Sequence, residues 1–304
     1  MDIMDEFEAL FEDTKTKYNI GYEDEIRHYI ESIVSEDTAV QYNTNIYGVD
    51  VLAYIESKHI AIKYYESEKY DDLIVGKNYF LKLAIQLDKQ GIRLFNIYDY
   101  EWFNEHKKDV IKSILLHDLT PSKKIYARKT EVREMYTDEA MRFMNENHLQ
   151  GGIGAAVKIG LYYNNVPLAM MSFGQSRFNK EDHCYEIIRA CYQHGYTVEG
   201  GVSKILKYFI KEYKPVKIIS YSDIGKFASN SYKKSGMELI EVTDPGYVWT
   251  KDGEELQRYQ CMKHRLIAKG WGIASQTENE IMRNHGYNKV YNAGNRKFQW
   301  ISPK

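Results

Sequence analysis

The chain reads as a mixed α/β protein of two domains followed by a C-terminal tail. Three observations predict this. Its 304 residues are more than one ordinary domain needs. Apolar spacing switches repeatedly between helical and strand periods along the chain. At Leu119-Thr120-Pro121-Ser122 a proline coincides with a change from acidic to basic composition. With 43% apolar and 28% charged residues, the composition is globular and not disordered.

The elements follow in order. Residues 5–35 read as helical, with Ile26, Tyr29, Ile30 and Ile33 on one face. Residues 47–55 and 59–65 read as adjacent strands around the polar turn Glu56-Ser57-Lys58. Lys77–Gln90 is a helix that Gly91 can terminate, Ile92–Tyr98 a third strand and Glu101–Leu116 a helix. After the boundary come a helix at Thr137–Asn147, strands at Val157–Tyr163 and Pro167–Phe173 around Asn164-Asn165, and a strand at Tyr185–Tyr192. A glycine turn at 197–204 leads into a helix at Ile205–Tyr213. Then follow the strand Val216–Tyr221, the helix Ala228–Ser235 and strands at Met237–Val242, Tyr247–Thr250 and Arg258–Met262. The expected domains are 1–119 and 120–265, with a tail at 266–304.

Charge divides the chain. Residues 1–120 carry 13 basic and 24 acidic side chains, the remainder 28 and 19. A basic second part suits phosphates and so a DNA partner, because neutralising phosphates releases counterions. The alternative is that the two parts attract one another. No run of about 18 apolar residues exists, which excludes a helical membrane span, and the acidic start is not that of a secretory signal. Cys184, Cys191 and Cys261 are odd in number and widely spaced, which predicts neither a disulfide framework nor a zinc site and fits a reducing cytoplasm. Pairing Cys184 and Cys191 with His183 and His194 gives irregular spacing for zinc.

Several blocks carry a resemblance in the same order: KNYFLKLAIQLDKQGIRLFNIYDYEW (77–102), KIYARK (124–129), FGQSRFNK (173–180), GGVSKILKYFIKEYKPVKIISYSD (200–223) and GYNKVYNAGNRKF (286–298). The chain resembles a family of two-domain phage proteins usually called homing endonucleases. In that family a Vsr-like PD-(D/E)XK nuclease domain, of restriction-endonuclease type, precedes a GNAT-like domain related to the Mom DNA-modification protein. The resemblance implies DNA as partner, the cytoplasm of an infected host cell as location, and strand cleavage assisted by Mg²⁺. It places the helix glutamate on Glu25 and the metal-binding aspartate on Asp50. Lys63 stands where the second-strand carboxylate is expected, and Phe80 where the pattern often has histidine, so the motif is degenerate. Either Asp50 pairs with Lys63, or Glu25, Asp50, Glu66 or Asp99 rebuild a metal site.

In the second domain the resemblance implies an acyl-CoA cofactor and acyl transfer as the alternative activity. Gly200, Gly201, Val202, Ser203 and Lys204 form a strand-to-helix turn, whose backbone N–H groups suit a pyrophosphate. The usual (Q/R)xxGx(G/A) signature is not there. Asn230–Met237 resembles the motif that carries a tyrosine general acid, which places that role on Tyr232. Lys123, Lys124, Arg128, Lys129, Arg177 and Arg189 are the candidate phosphate contacts. The tail interleaves Arg283, Lys289, Arg296 and Lys297 with Tyr287, Tyr291, Phe298 and Trp300, which suits nucleic-acid contact or a terminal hairpin packed on the core. A third possibility is a non-catalytic protein that binds a host or phage partner.

Overall fold

A computed structural model describes residues 21–120, 123–176 and 181–303. Its first helix, Tyr22–Ile33, buries Ile26 and Ile30, one turn apart, and gathers Glu23, Asp24 and Glu25 in its first turn, where the helix dipole favours them. The part of the predicted helix before it lies outside the described residues. A four-stranded sheet follows in the order β1 (Gln41–Ile46), β2 (Val49–Ile55), β3 (Ile60–Tyr65) and β4 (Arg93–Tyr98). The first two pairings are antiparallel, whereas β3 and β4 run parallel across the helix Tyr79–Asp88. Every residue of β3 is buried, as a strand covered on both faces requires. Strand β1 was not expected. Its sequence QYNTNI is polar, and only its position at the sheet edge makes it a strand.

The helix Glu105–Leu119 closes this part, and β5 (Lys123–Tyr126) opens the next. The larger sheet holds β6 (Glu131–Glu134), β7 (Val157–Tyr163), β8 (Val166–Gln175) and β9 (Cys184–Tyr192). The short strand β10 (Tyr196–Glu199) leaves that sheet to pair in parallel with β5. Strands β11 (Lys217–Asp223) and β12 (Glu238–Val242) return to it. Next come β13 (Tyr247–Lys251), β14 (Glu254–Gln257) and β15 (Asn288–Tyr291), which form a separate three-stranded sheet, and then β16 (Asn295–Ile301). The seven-stranded order is β12-β16-β11-β9-β8-β7-β6.

Two expectations need correction here. The predicted strand Arg258–Met262 is a 3₁₀ turn at Arg258–Cys261, preceded by strand β14. No terminal hairpin forms from β15 and β16. The first pairs with β13, and the second lies between β11 and β12 inside the large sheet. The segment between β12 and β16 therefore builds a small sheet of its own before the chain completes the large one.

The two faces of the large sheet bury separate clusters. On one, Phe173, Ile187, Ile218 and Phe298 pack with Ile205, Leu206 and Phe209 of the helix Gly201–Tyr213. On the other, Met170 and Cys191 pack with Phe143 and Met144 of the helix Thr137–Asn147.

Oppositely charged residues meet where the four-stranded sheet contacts the rest. Arg283 reaches Asp71 and Asp72, and the Lys289 N–H donates to Asp71 (2.8 Å). Lys226 Nζ pairs with Glu101 (2.7 Å), Arg296 with Asp88 (3.1 Å) and Lys77 with Asp244 (2.6 Å). Arg283, Lys289, Lys226 and Arg296 thus answer acids before residue 120, whereas the Lys77–Asp244 and Lys107–Glu255 pairs run the other way.

Candidate functional site

The first candidate region is a cleft of about 340 Å³ in the four-stranded sheet, lined among others by Glu23, Asn45, Asp50, Lys63 and Tyr70. Lys63 is buried, and its Nζ donates to the Asp50 backbone carbonyl (2.6 Å). Burial lowers the Lys63 pKa, while Asp50 and Glu23 oppose that shift. The Asp50 carboxylate instead accepts from Asn45 Nδ2 (2.6 Å), so the expected Asp50–Lys63 side-chain pair is a contact to the backbone. Glu25 is buried 3.4 Å from Lys108 Nζ. Glu66 pairs with Lys69, and Asp99 accepts from the backbone and hydroxyl of Ser67. Phe80 is fully buried among Tyr65, Tyr70, Tyr79 and Tyr98. Among the described residues no three His, Cys, Asp or Glu side chains gather as a metal site.

The second region is the gap between β9 and β11. These parallel strands pair only from Cys184–Glu186 against Lys217–Ile219. Beyond that point the β8–β9 register shifts: Phe173 faces Ile187 and Ser172 faces Arg189, so Ile188 is the extra residue of a bulge. The bulge sits just beyond the point where the β9–β11 register ends. The sequence carries a trace of it, because strict alternation breaks at Ile187-Ile188.

The chain leaves β9 through β10 and turns at Gly200, which has φ +78 and caps the helix Gly201–Tyr213 without a side-chain hydrogen bond. The helix starts at Gly201 and not at the expected Ile205, because glycine permits the left-handed cap. A Cβ on Gly201 would stand 3.2 Å from Val198 and 3.3 Å from Leu161, so a side chain there would crowd the strand-to-helix packing. The first N–H groups of any helix have no partner within it. Those of Gly201, Val202 and Ser203 are therefore suited to an anion. Ser203 Oγ lies 2.8 Å from Ser235 Oγ. The Lys204 ammonium is engaged elsewhere, by the carbonyls of Ala127 (2.9 Å) and Thr130.

Tyr232, on the short helix Asn230–Lys234, packs against this same cluster and tilts over Phe298 at 5.4 Å. Burial raises its phenol pKa, with Ser220 acting in the opposite direction. At neutral pH the phenol is a protonated donor. Residues predicted from two separate motifs, Gly200–Ser203 and Tyr232, thus belong to one face of one sheet.

The basic candidates divide. Lys123, Lys124, Arg128 and Lys129 are exposed on β5 and the turn after it. Arg189 is half-buried, and its Nε donates to the Gly151 carbonyl (3.2 Å). Arg177 lies outside the described residues. Of the tail, Arg283, Lys289, Arg296 and Lys297 all take part in ion pairs. Cys184, Cys191 and Cys261 are buried thiols outside any disulfide, and burial raises each. Sequence reasoning missed the seam, whose one local signal was Asp223-Ile224-Gly225, a turn sequence. There the Asn96 N–H donates to the Gly225 carbonyl (2.8 Å), and Lys226 is buried against Glu101.

No known family profile matches the chain. No curated protein matches it either. Solved acetyltransferases are similar in shape. A Bacillus subtilis acetyltransferase in complex with CoA is 9% identical, with a TM-score of 0.34, covering 58% of this chain and all of that one. An aminoglycoside 6′-acetyltransferase type Ii is 8% identical, with a TM-score of 0.33, covering 57% and 99%. The Escherichia coli ribosomal-protein-S18-alanine N-acetyltransferase is 14% identical, with a TM-score of 0.32, covering 41% and 88%. At such values the likeness carries no weight for function. The chain is a mixed α/β protein, described by its own strand order and by a parallel β9–β11 pair that extends over three residues of each strand. No helix among the described residues is long and apolar enough to cross a membrane.

Proposed function

We propose that the protein is an acyltransferase that takes its acyl group from an acyl-CoA. The observation that carries this reading is the β9–β11 pairing that ends just before the Ile188 bulge, with the first amides of the helix Gly201–Tyr213 and Tyr232 on one face of that sheet. When bound, the cofactor supplies an activated acyl thioester. The N–H groups of Gly201, Val202 and Ser203 would hold its pyrophosphate, aided by the helix dipole. The edges of β9 and β11 beyond their paired residues would line the rest of the cofactor. Burial keeps the Tyr232 phenol protonated, so it would serve as the proton donor to the thiolate leaving group. Lys204 holds the turn at Ala127–Thr130 against the helix. Tyr232→Phe tests the assignment: turnover falls about 100-fold, the usual contribution of a general acid, while acetyl-CoA affinity stays. Unchanged turnover removes Tyr232 from the mechanism.

A second reading concerns the partner. We propose that the four exposed cations Lys123, Lys124, Arg128 and Lys129 contact a nucleic-acid backbone, which would make DNA the acceptor or the platform. In this reading the part of the chain before residue 120 that carries the four-stranded sheet is a scaffold that docks on the transferase part.

A further inference from the structure

We propose that Lys63 captures a small aldehyde without negative charge as an iminium, inside the cleft of the four-stranded sheet. This site lies before residue 120 and is independent of the acyltransferase reading.

Four lysines are buried among the described residues: Lys63, Lys108, Lys226 and Lys289. Three of them have a carboxylate partner. Lys108 reaches Glu105 at 2.9 Å, Lys226 reaches Glu101 at 2.7 Å, and Lys289 lies 3.8 Å from Asp72. Such partners are the rule, because taking an ammonium out of water is costly. Lys63 has no carboxylate partner among the described residues. Its Nζ donates to the Asp50 backbone carbonyl (2.6 Å) and lies 5.4 and 5.9 Å from the centres of the Tyr65 and Tyr70 rings. The difference is chemical. A carboxylate favours the ammonium form. A carbonyl accepts a proton from an ammonium and from a neutral amine alike, and the neutral amine keeps the lone pair that makes lysine a nucleophile.

Of the four, Lys63 lines the cleft of about 340 Å³. That volume is at the small end for a ligand site. Tyr64, Tyr70, Val51 and Leu52 give it apolar wall. Glu23 and Asp50, both exposed, line it too. An anionic carbonyl compound would be repelled by these two carboxylates, whereas a neutral aldehyde, or one bearing an ammonium, would not. In the reaction Lys63 gives one proton to water, and its nitrogen attacks the carbonyl carbon. A second proton moves from nitrogen to oxygen, forming a carbinolamine. The hydroxyl then takes back the first proton and leaves as water. One ammonium and one aldehyde thus give one iminium and one water. The iminium nitrogen keeps its third proton, so it can still donate to the Asp50 carbonyl.

The test incubates the full chain with propanal and cyanoborohydride at neutral pH and maps the reduced adducts by peptide mass spectrometry. Exposed Lys58, on the turn before β3, is the internal reference. Lys63 should be alkylated about tenfold faster than Lys58, with a rate that saturates in propanal, while the Lys58 rate rises linearly. With glyoxylate, an anionic aldehyde, the preference for Lys63 should disappear. Glu23→Gln together with Asp50→Asn should bring it back. Lys63→Arg keeps the cation and should remove the fast adduct without changing that of Lys58. Alkylation of Lys63 no faster than that of Lys58 overturns the proposal. So does a rate at Lys63 that fails to saturate, or equal preference for Lys63 with propanal and glyoxylate.

Discussion

Lys63 and Asp50 show how one residue redirects a site. A carboxylate at position 63 would have added negative charge beside Asp50. The lysine instead sets a buried cation against the Asp50 carbonyl, with Tyr65 and Tyr70 rings 5.4 and 5.9 Å away. This departure was legible in the sequence, whereas the fate of Glu25 was not, because its partner Lys108 lies on another helix. Asp223 also leaves a signature in stability. Its folded-state pKa of about 6 exceeds the ordinary 3.8, so the native state holds the proton more tightly. Its contribution is full below pH 4 and is lost as pH rises toward 6. Asp223→Asn should remove that decline from the pH dependence of denaturant midpoints; a decline that persists assigns it to another group.

Elements were legible where the period was strong and the ends were marked. The helix Thr137–Asn147 and the strand Val157–Tyr163 match their predicted limits. Strand β1 failed because its alternation is polar, and the tail because strand order is a tertiary fact that no local pattern carries. Gly200 and Tyr232 were found by motif, yet their common face depends on the β11–β16 pairing that sets Ser220 opposite Phe298. At this scale the seam also makes its prediction. Lys226 is 1% exposed and its partner Glu101 6%, so Lys226→Met strands a buried carboxylate. Breaking a buried pair in this way should cost about 3–5 kcal/mol. Lys226→Met together with Glu101→Gln should recover part of that loss in urea denaturation. A single variant as stable as wild type would show that the seam does not hold this pair dry.

Across the whole molecule, the charge asymmetry visible in the sequence has two destinations. One is internal, in the ion pairs of Asp71 and Asp72 with Arg283 and of Asp88 with Arg296. The other is the exposed set at Lys123, Lys124, Arg128 and Lys129. If that set meets phosphates, binding to a 30-base-pair duplex should weaken steeply with salt. Lys124→Ala should lower the salt slope by about one, without regard to sequence. Binding that ignores salt would leave the acceptor to be sought elsewhere.

The central claim is that the gap beside Gly200 and Tyr232 receives an acyl-CoA, and calorimetric titration with acetyl-CoA tests it most directly. Wild-type protein should bind one equivalent and gain about 2.7 kcal/mol of stability at a ligand concentration 100 times Kd. Val202→Pro removes one N–H from the first helical turn, where proline is tolerated, and should weaken that binding at least tenfold without lowering the melting temperature of the free protein. No heat and no stabilisation at millimolar acetyl-CoA, or equal binding by Val202→Pro, would contradict the account.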